Sequence, residues 1–342
     1  MLRLSHPTKA GSENIDVWYL HAMAYLIGTD EAGYAPNLGP LVITATVWRI
    51  DGELGERELY DLLGHCVCRA PDGPDDERVV IADSKSLYKS NEAMQGLERG
   101  VATALRACGR APNAWRDIWS AVAGMDAQQL TSIPWHDGYD EQLPLSCERD
   151  KIDQTATQFC NGLAKAGIEL VSIRSCAVFP AEFNDLVDSC GNKASLLSLR
   201  TLELVRQELA ERGAEPTMVF CDKHGGRNNY VSVLQTLFPD YLVEVRRESR
   251  AESIYRWGPK KKRVEFRFMV NGETFLPTAL ASMVSKYLRE LAMRAFNAFW
   301  LFHVPGIQRT AGYPADSRRF KKQIAVKQQE LGIGDHHLWR CR

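Results

Sequence analysis

Hydrophobic and polar positions along the chain follow two periods, and the switches between them mark the elements. Runs rich in Val, Ile and Thr predict buried strands at Tyr25–Ile27 and Leu41–Trp48. The segment between them, Asp30 to Pro40, is dense in Gly and Pro and reads as turn chemistry. Helical periodicity covers residues 51–63, 90–107 and 151–166, with a short strand at Val79–Ala82. Ile168–Phe179 predicts a strand broken near Arg174, and residues 193–212 an amphipathic helix stopped by Gly213. Thr217–Cys221 predicts a strand ending at Asp222; residues 228–237 predict a helix and Tyr241–Val245 a further strand. Trp257 to Pro277 holds Lys260-Lys261-Lys262-Arg263 followed by the alternating stretch VEFRFMV, a basic hairpin. A long apolar helix follows at residues 279–302, and the remainder is basic. Strands interleaved with helices argue for an α/β fold.

Residues 109–150 break this rhythm. They hold Trp115, Trp119, Trp135 and Pro134 among many turn formers, and read as an inserted loop or small subdomain. Residues 1–16 are polar and loose in pattern.

The 342 residues are 45% hydrophobic and 25% charged, which excludes collagen-like, coiled-coil and wholly disordered chains. No apolar run approaches the roughly 20 residues of a membrane span, and the stretch Val17–Ile27 lacks a basic start and a small-residue cleavage site. Nine cysteines without a leader predict reduced thiols and a cytoplasmic protein with no membrane role. Cys66-x-Cys68 is the one close pair, and no second pair at zinc spacing accompanies it.

The net charge of −1 hides a strong asymmetry. Residues 1–245 carry 22 Lys+Arg against 35 Asp+Glu, and residues 246–342 carry 20 against 8. A basic C-terminal third predicts attraction to a polyanion, with ordinary pairing to the acidic part as the competing explanation.

Carboxylates at strand ends supply the candidate chemistry. Asp30 and Glu31 follow a buried strand directly. Neighbouring strand residues point to opposite faces, so both reach one site only if a loop begins there. Asp222 closes another buried strand, and Glu252 lies just past the strand at 241–245. Sites in open α/β sheets gather beyond strand ends, and clustered carboxylates suit hard cations such as Mg²⁺ or Mn²⁺. Helix capping or plain solvation is the alternative for each acid.

Several motifs together resemble the type 2 ribonucleases H, the ribonuclease HII and HIII family. They are Gly28-Thr29-Asp30-Glu31-Ala32-Gly33 with Leu38-Gly39-Pro40-Leu41-Val42, then Asp83-Ser84-Lys85-Ser86-Leu87, and Arg250-Ala251-Glu252-Ser253. Ala281-Ser282-Met283-Val284-Ser285-Lys286 with Arg289-Glu290, and Gly312-Tyr313-Pro314, complete the set. They span about residue 25 to residue 322 in the family's order. The resemblance implies a ribonuclease H-like fold: a mixed central sheet flanked by helices, with a helical C-terminal region. The domain would cover residues 25–322, with insertions at 109–150 and 257–277 and tails at 1–24 and 323–342.

The resemblance also implies an endonuclease. It would cut the RNA strand of RNA–DNA hybrids, or duplex DNA containing ribonucleotides, by two-metal catalysis with Mg²⁺ or Mn²⁺. Products would carry 5′-phosphate and 3′-hydroxyl ends. Asp30, Glu31, Asp222 and Glu252 would be the catalytic metal ligands. Gly33, Tyr34, Ser84, Lys85 and Tyr313 would bind substrate, and Lys260, Lys261, Lys262 and Arg263 would clamp its backbone. His224 and Glu290 are outer candidates, the former as a proton shuttle. No obligate protein partner is implied. The chain departs from the family at Gly33-Tyr34-Ala35, where Gly-Arg-Gly or a close variant is usual, and it has no N-terminal substrate-binding domain of the HIII kind. Three alternatives stay open: a catalytically impaired nucleic-acid binder on the same fold, a DNA-directed nuclease of the same superfamily, and a metal-dependent phosphatase.

Overall fold

The computed structural model describes residues 24–341, except 52–58, 74 and 88–92. The loose start at 1–16, most of the run from Val17 and the first part of the helix expected at 51–63 lie outside the described residues. Among the described residues the strands are β1 (Tyr25–Ala32), β2 (Leu41–Ile50), β3 (Val67–Cys68), β4 (Val79–Val80), β5 (Ile168–Val178), β6 (Thr217–Asp222), β7 (Glu244–Glu248), β8 (Glu252–Trp257) and β9 (Val264–Met269). The helices are α1 (Leu59–Leu63), α2 (Ser84–Leu87), α3 (Ala93–Ala107), α4 (Trp115–Ala123), α5 (Ala127–Thr131), α6 (Arg149–Lys165), α7 (Pro180–Cys190), α8 (Lys193–Glu211), α9 (Val231–Leu237), α10 (Leu276–His303), α11 (Pro314–Glu330) and α12 (Asp335–Leu338).

Seven strands form one mixed sheet in the order β5-β2-β1-β6-β9-β8-β7; β3 and β4 make a separate parallel pair. β1, β6 and β9 run parallel at its centre, and β2, β5, β8 and β7 add to them through antiparallel ladders. A sheet covered on both faces needs strands that are apolar on both sides, and β2 is buried along nearly its whole length. Val42 and Trp48 face one apolar layer, closed by α3, α4, α6 and α10. Leu41, Ile43, Ala45 and Val47 face the other, closed by α7, α8 and α9. A third cluster joins Leu38, Trp135 and the second half of α10 to α11 and α12. The mixed sheet, its flanking helices and the helical C-terminal region are those expected from the sequence.

Several boundaries differ from expectation. The segment 109–150 is no separate subdomain: Trp115 and Trp119 are wholly buried in the first layer, and Trp115 Nε1 donates to the Leu291 carbonyl at 3.0 Å. The hairpin expected at 257–277 exists, but it is no insertion. Its second strand, β9, is an interior strand seated between β6 and β8. α11 runs through the expected start of the C-terminal tail at 323, with Ile324 fully buried. β5 runs unbroken past Arg174, and the ladder slips instead near Val171. The strand expected at 241–245 forms three residues later, as β7.

Candidate active site

The C-terminal ends of the three central parallel strands meet at one edge of the sheet. The β1–β6 ladder ends at Thr29↔Cys221, so Asp30 and Asp222 are the next residues on neighbouring strands. Adjacent strands lie about 5 Å apart, which brings these acids side by side. Asp222 is also in register with Met269, the last residue of β9. Just beyond, Asn271 takes a left-handed turn (φ 60°) and Gly272 follows. The Gly272 N–H donates to Asp222 Oδ1 at 3.2 Å, and a Cβ on Gly272 would stand 3.1 Å from the Asp222 backbone. Glu273 comes next, in a short 3-10 turn three residues before α10.

The approach of α10 completes the edge. Gly28 has no side chain where Pro277 and Thr278 cross it; a Cβ there would lie 2.2 Å from the Pro277 carbonyl carbon. That close crossing brings Ser282 to the Asp30 carboxylate, which it helps keep charged, and lets the Ser285 hydroxyl donate to the Asp30 carbonyl at 3.0 Å. Ser84 and Ser282 hydroxyls are 2.9 Å apart, which ties α2 to the same place. Lys85 Nζ then stands 3.9 Å from Glu273 and faces Asp30, Asp83 and Asp222 as well.

The electrostatics follow from this crowding. Burial, with Asp222 and Glu273 adding repulsion, raises Asp30 to about 7 despite its Ser282 bond. Burial, then Asp30 and Asp222, pushes Glu31 well above the ordinary carboxylate range, against the pull of Lys85. Glu31 is still inside β1, opposite Ile43, so no loop begins between it and Asp30. The two carboxyls leave the strand on alternate sides, but at its very end both still feel Asp222, which keeps them in one charge cluster without the loop start expected from the sequence.

Oxygen-only donors of negative charge fit hard divalent cations, and the repulsion among them is what a cation would relieve. Among the described residues, no group of three or more His, Cys, Asp or Glu is already drawn together at metal-ligating distance.

Glu252 sits elsewhere than expected. It opens β8, opposite Met269, two strand spacings or about 10 Å from Asp222. Its carboxylate lies 3.4 Å from Arg247 Nη1 and 3.9 Å from Arg267 Nη1. Glu252 thus pairs with arginines away from the edge, and the acid that stands beside Asp30 and Lys85 there is Glu273. The rule of an acid beyond a parallel strand end selects Glu273 as soon as VEFRFM is read as a central strand.

The other expected positions divide in the same way. Gly33 (φ 90°) and Tyr34 begin the loop after β1; Lys193 Nζ lies 4.6 Å from the Tyr34 ring centroid. The Gly312 carbonyl accepts the Asn37 and Leu38 amides at 2.8 and 3.3 Å, which seats the half-exposed Tyr313 beside that loop. Glu290 pairs with Lys286 at 2.6 Å, two turns along α10 from Ser282.

His224 is no proton shuttle. It is buried on the opposite side of the sheet, edge-on to Tyr230 and Phe268, with Nδ1 3.1 Å from the Ser198 hydroxyl. Burial lowers it to about 3, so it is a neutral core residue. Lys260, Lys261, Lys262 and Arg263 lie at the opposite end of β9, where the Arg263 carbonyl accepts the Thr217 amide. That is roughly 20 Å or more along the sheet from Asp222. They do not line the carboxylate edge.

No helix among the described residues is long and apolar enough to cross a membrane. No family model matches the chain, and no curated protein matches it. Solved structures similar to the chain are type 2 ribonucleases H. A chain of the PCNA:RNase HII complex from Archaeoglobus fulgidus shares 12% identity, covering 93% of this chain and 94% of that one, with a TM-score of 0.40. Ribonuclease H2 from Pyrococcus horikoshii shares 15% identity over 92% of each chain, with a TM-score of 0.40. Bst-RNase HIII in complex with Mn²⁺ shares 13% identity, covering 98% of this chain and 72% of that one, with a TM-score of 0.42.

Proposed function

We propose that this protein is a divalent-cation-dependent endonuclease of the ribonuclease H type. Its substrate is the RNA strand of an RNA–DNA hybrid, cut to leave 5′-phosphate and 3′-hydroxyl ends. The observation that carries the reading is the gathering of Asp30, Glu31, Asp222 and Glu273 at the ends of three parallel strands, within a chain whose motifs run in the order of that family.

Asp30 and Asp222 would hold the cations from the centre, with Glu31 and Glu273 on either side. When bound, a pair of Mg²⁺ or Mn²⁺ ions supplies an activated water and charge stabilisation at the departing 3′-oxygen. The chain's own residues do the rest. Ser282 orients the Asp30 carboxylate, and the Gly272 N–H orients that of Asp222. Lys85, with its side chain mostly in solvent, is placed to receive a phosphate of the scissile strand. The loop from Gly33 offers backbone to the sugar edge, and Tyr313 offers a ring beside it.

The test is cleavage of three end-labelled substrates, each with Mg²⁺ or Mn²⁺: an RNA–DNA hybrid, a duplex with one ribonucleotide, and an all-DNA duplex. Wild type runs beside Asp222→Asn. Metal-dependent cutting of the hybrid that disappears in the variant supports the proposal. Cutting of the all-DNA duplex alone points to a DNA-directed nuclease. Binding without cutting under both metals overturns the enzyme reading.

A further inference from the structure

We infer that the C-terminal segment Asp335–Cys341 is a strap that fixes the loop following Asp30 and Glu31, with Arg340 as its positioning residue. The inference rests on the nuclease reading above for its consequence, but not for its structural content.

Arginine side chains are mostly solvated. Arg340 is 2% exposed. Its backbone N–H donates to the Asn37 carbonyl at 2.9 Å, and its guanidinium donates to the Pro36 carbonyl. The Asn37 side-chain amide returns a bond to the Arg340 carbonyl at 3.5 Å. The guanidinium carbon lies 4.7 Å from the Phe183 ring centroid. Nε and Nη1 are buried without a hydrogen-bond partner among the described residues, and the charge that faces them is Arg289, of the same sign. Burying a guanidinium on such terms is costly. Burial first, then Arg289, brings it down to about 9. What holds it there is the loop on one side and α7 on the other.

The strap is anchored independently of Arg340. The Asn184 side-chain amide on α7 donates to the His336 and Trp339 carbonyls at 3.1 and 2.9 Å, and its oxygen accepts the Cys341 N–H at 2.8 Å. Leu338 is fully buried in the third cluster. The loop is held from two further directions: Gly312 accepts the Asn37 and Leu38 amides, and Arg289 donates to the Leu38 and Ala311 carbonyls at 3.4 and 2.9 Å.

Three anchors thus converge on Pro36–Leu38, the downstream foot of the loop. The upstream foot is Ala32, the last residue of β1 and the next after Glu31. Between them Tyr34 is half-buried and Ala35 exposed. Only the crown of the loop is left to meet a substrate strand, and its path from β1 is set by where Pro36 and Asn37 are fixed. Arg340 touches none of the carboxylates; it acts through the loop.

The experiment uses the full chain with Arg340→Lys, Arg340→Ala and Asn184→Ala. Amide hydrogen exchange is followed at Asn37 and Leu38, with Val42–Val47 of β2 as the internal control. The expected result is at least tenfold faster exchange at Asn37 and Leu38 in Arg340→Ala, with β2 unchanged. KM for the hybrid should rise at least fivefold while kcat stays within about threefold, and Arg340→Lys should recover part of both. Where Arg340→Ala fails to fold, Arg340→Lys and Asn184→Ala carry the same readouts at smaller size. Unchanged exchange at Asn37 and Leu38 in every folded variant overturns the strap, whatever the activity. Faster exchange in a protein whose wild type cuts no hybrid upholds the strap and sinks the nuclease reading instead.

Discussion

The Lys85 ammonium stands 3.9 Å from the Glu273 carboxylate, at the mouth of the edge where Asp30 and Asp222 meet. Lys85 faces Glu273, Asp30, Asp83 and Asp222 there, and its own proton is held more tightly for it. Glu252, by contrast, already has Arg247 and Arg267. Glu273→Gln should therefore lower metal-dependent cleavage by roughly 100-fold or more, as removal of a ligating or orienting carboxylate does. Glu252→Gln should leave cleavage within about threefold. Paired rate measurements at saturating Mn²⁺ decide between them; the reverse ranking would return the fourth place to Glu252.

Gly28 carries a different kind of demand. A methyl group there would sit 2.2 Å from the Pro277 carbonyl carbon, which is backbone and has nowhere to go. Gly28→Ala should push the start of α10 off β1, at a cost of roughly 1–3 kcal/mol. Because Ser282 and Ser285 ride on that helix, cleavage should fall further than the loss of folded protein explains. Thermal melts and kcat measured on the same samples test this. A variant that melts lower but cuts at the wild-type rate would separate the crossing from the chemistry.

The acids at the ends of β1 and β6 were legible because a strand signal ends abruptly in Asp in both places. Glu273 was not, for a definite reason. The alternation in VEFRFMV announces a strand but not its neighbours, and only pairing beside β6 turns that strand's end toward Asp222. The reach of Lys260–Arg263, expected to clamp the substrate backbone, depended on the same pairing: a hairpin tip lies at the end opposite its open strands, here away from the carboxylates. His224 follows Asp222 by two residues and shares its sheet edge in sequence alone; Phe268 and Tyr230 enclose it on the far face. The segment 109–150 lacked a period because its Trp side chains pack as isolated anchors and not as a stripe.

The position of the basic tip has its own consequence. Lys260, Lys261 and Lys262 are exposed and lie beyond the far end of β9, roughly 20 Å or more from the carboxylates. Replacing all three with Ala should leave kcat/KM on a short hybrid within about twofold, with stability changed by no more than about 0.5 kcal/mol. Any contribution to binding should show only on long duplexes and fade with salt. A tenfold loss on the short hybrid would mean that the substrate runs along the sheet toward the tip.

His136 makes the pH dependence of folding predictable. It is fully buried, with the rings of Trp115 and Phe179 at 4.8 and 5.2 Å, and neither ring nitrogen has a hydrogen-bond partner among the described residues. Burial, with the Arg116 charge adding to it, lowers it to about 3 from 6.5. The folded protein therefore holds this imidazole neutral, while the unfolded chain takes up a proton below pH 6.5. Between pH 6.5 and pH 3 the unfolded state binds more protons, so stability rises with pH across that window and is lost as pH falls. One proton gives a slope approaching 1.4 kcal/mol per pH unit. His136→Phe keeps an aromatic ring in the cage and removes the titration. Its melting temperature should match or exceed that of the wild type at pH 5 and converge with it above pH 7, apart from a constant offset due to packing. Melts from pH 4 to pH 8 on both proteins measure the difference directly, and parallel curves throughout would show that His136 is not the group that sets the acid limit.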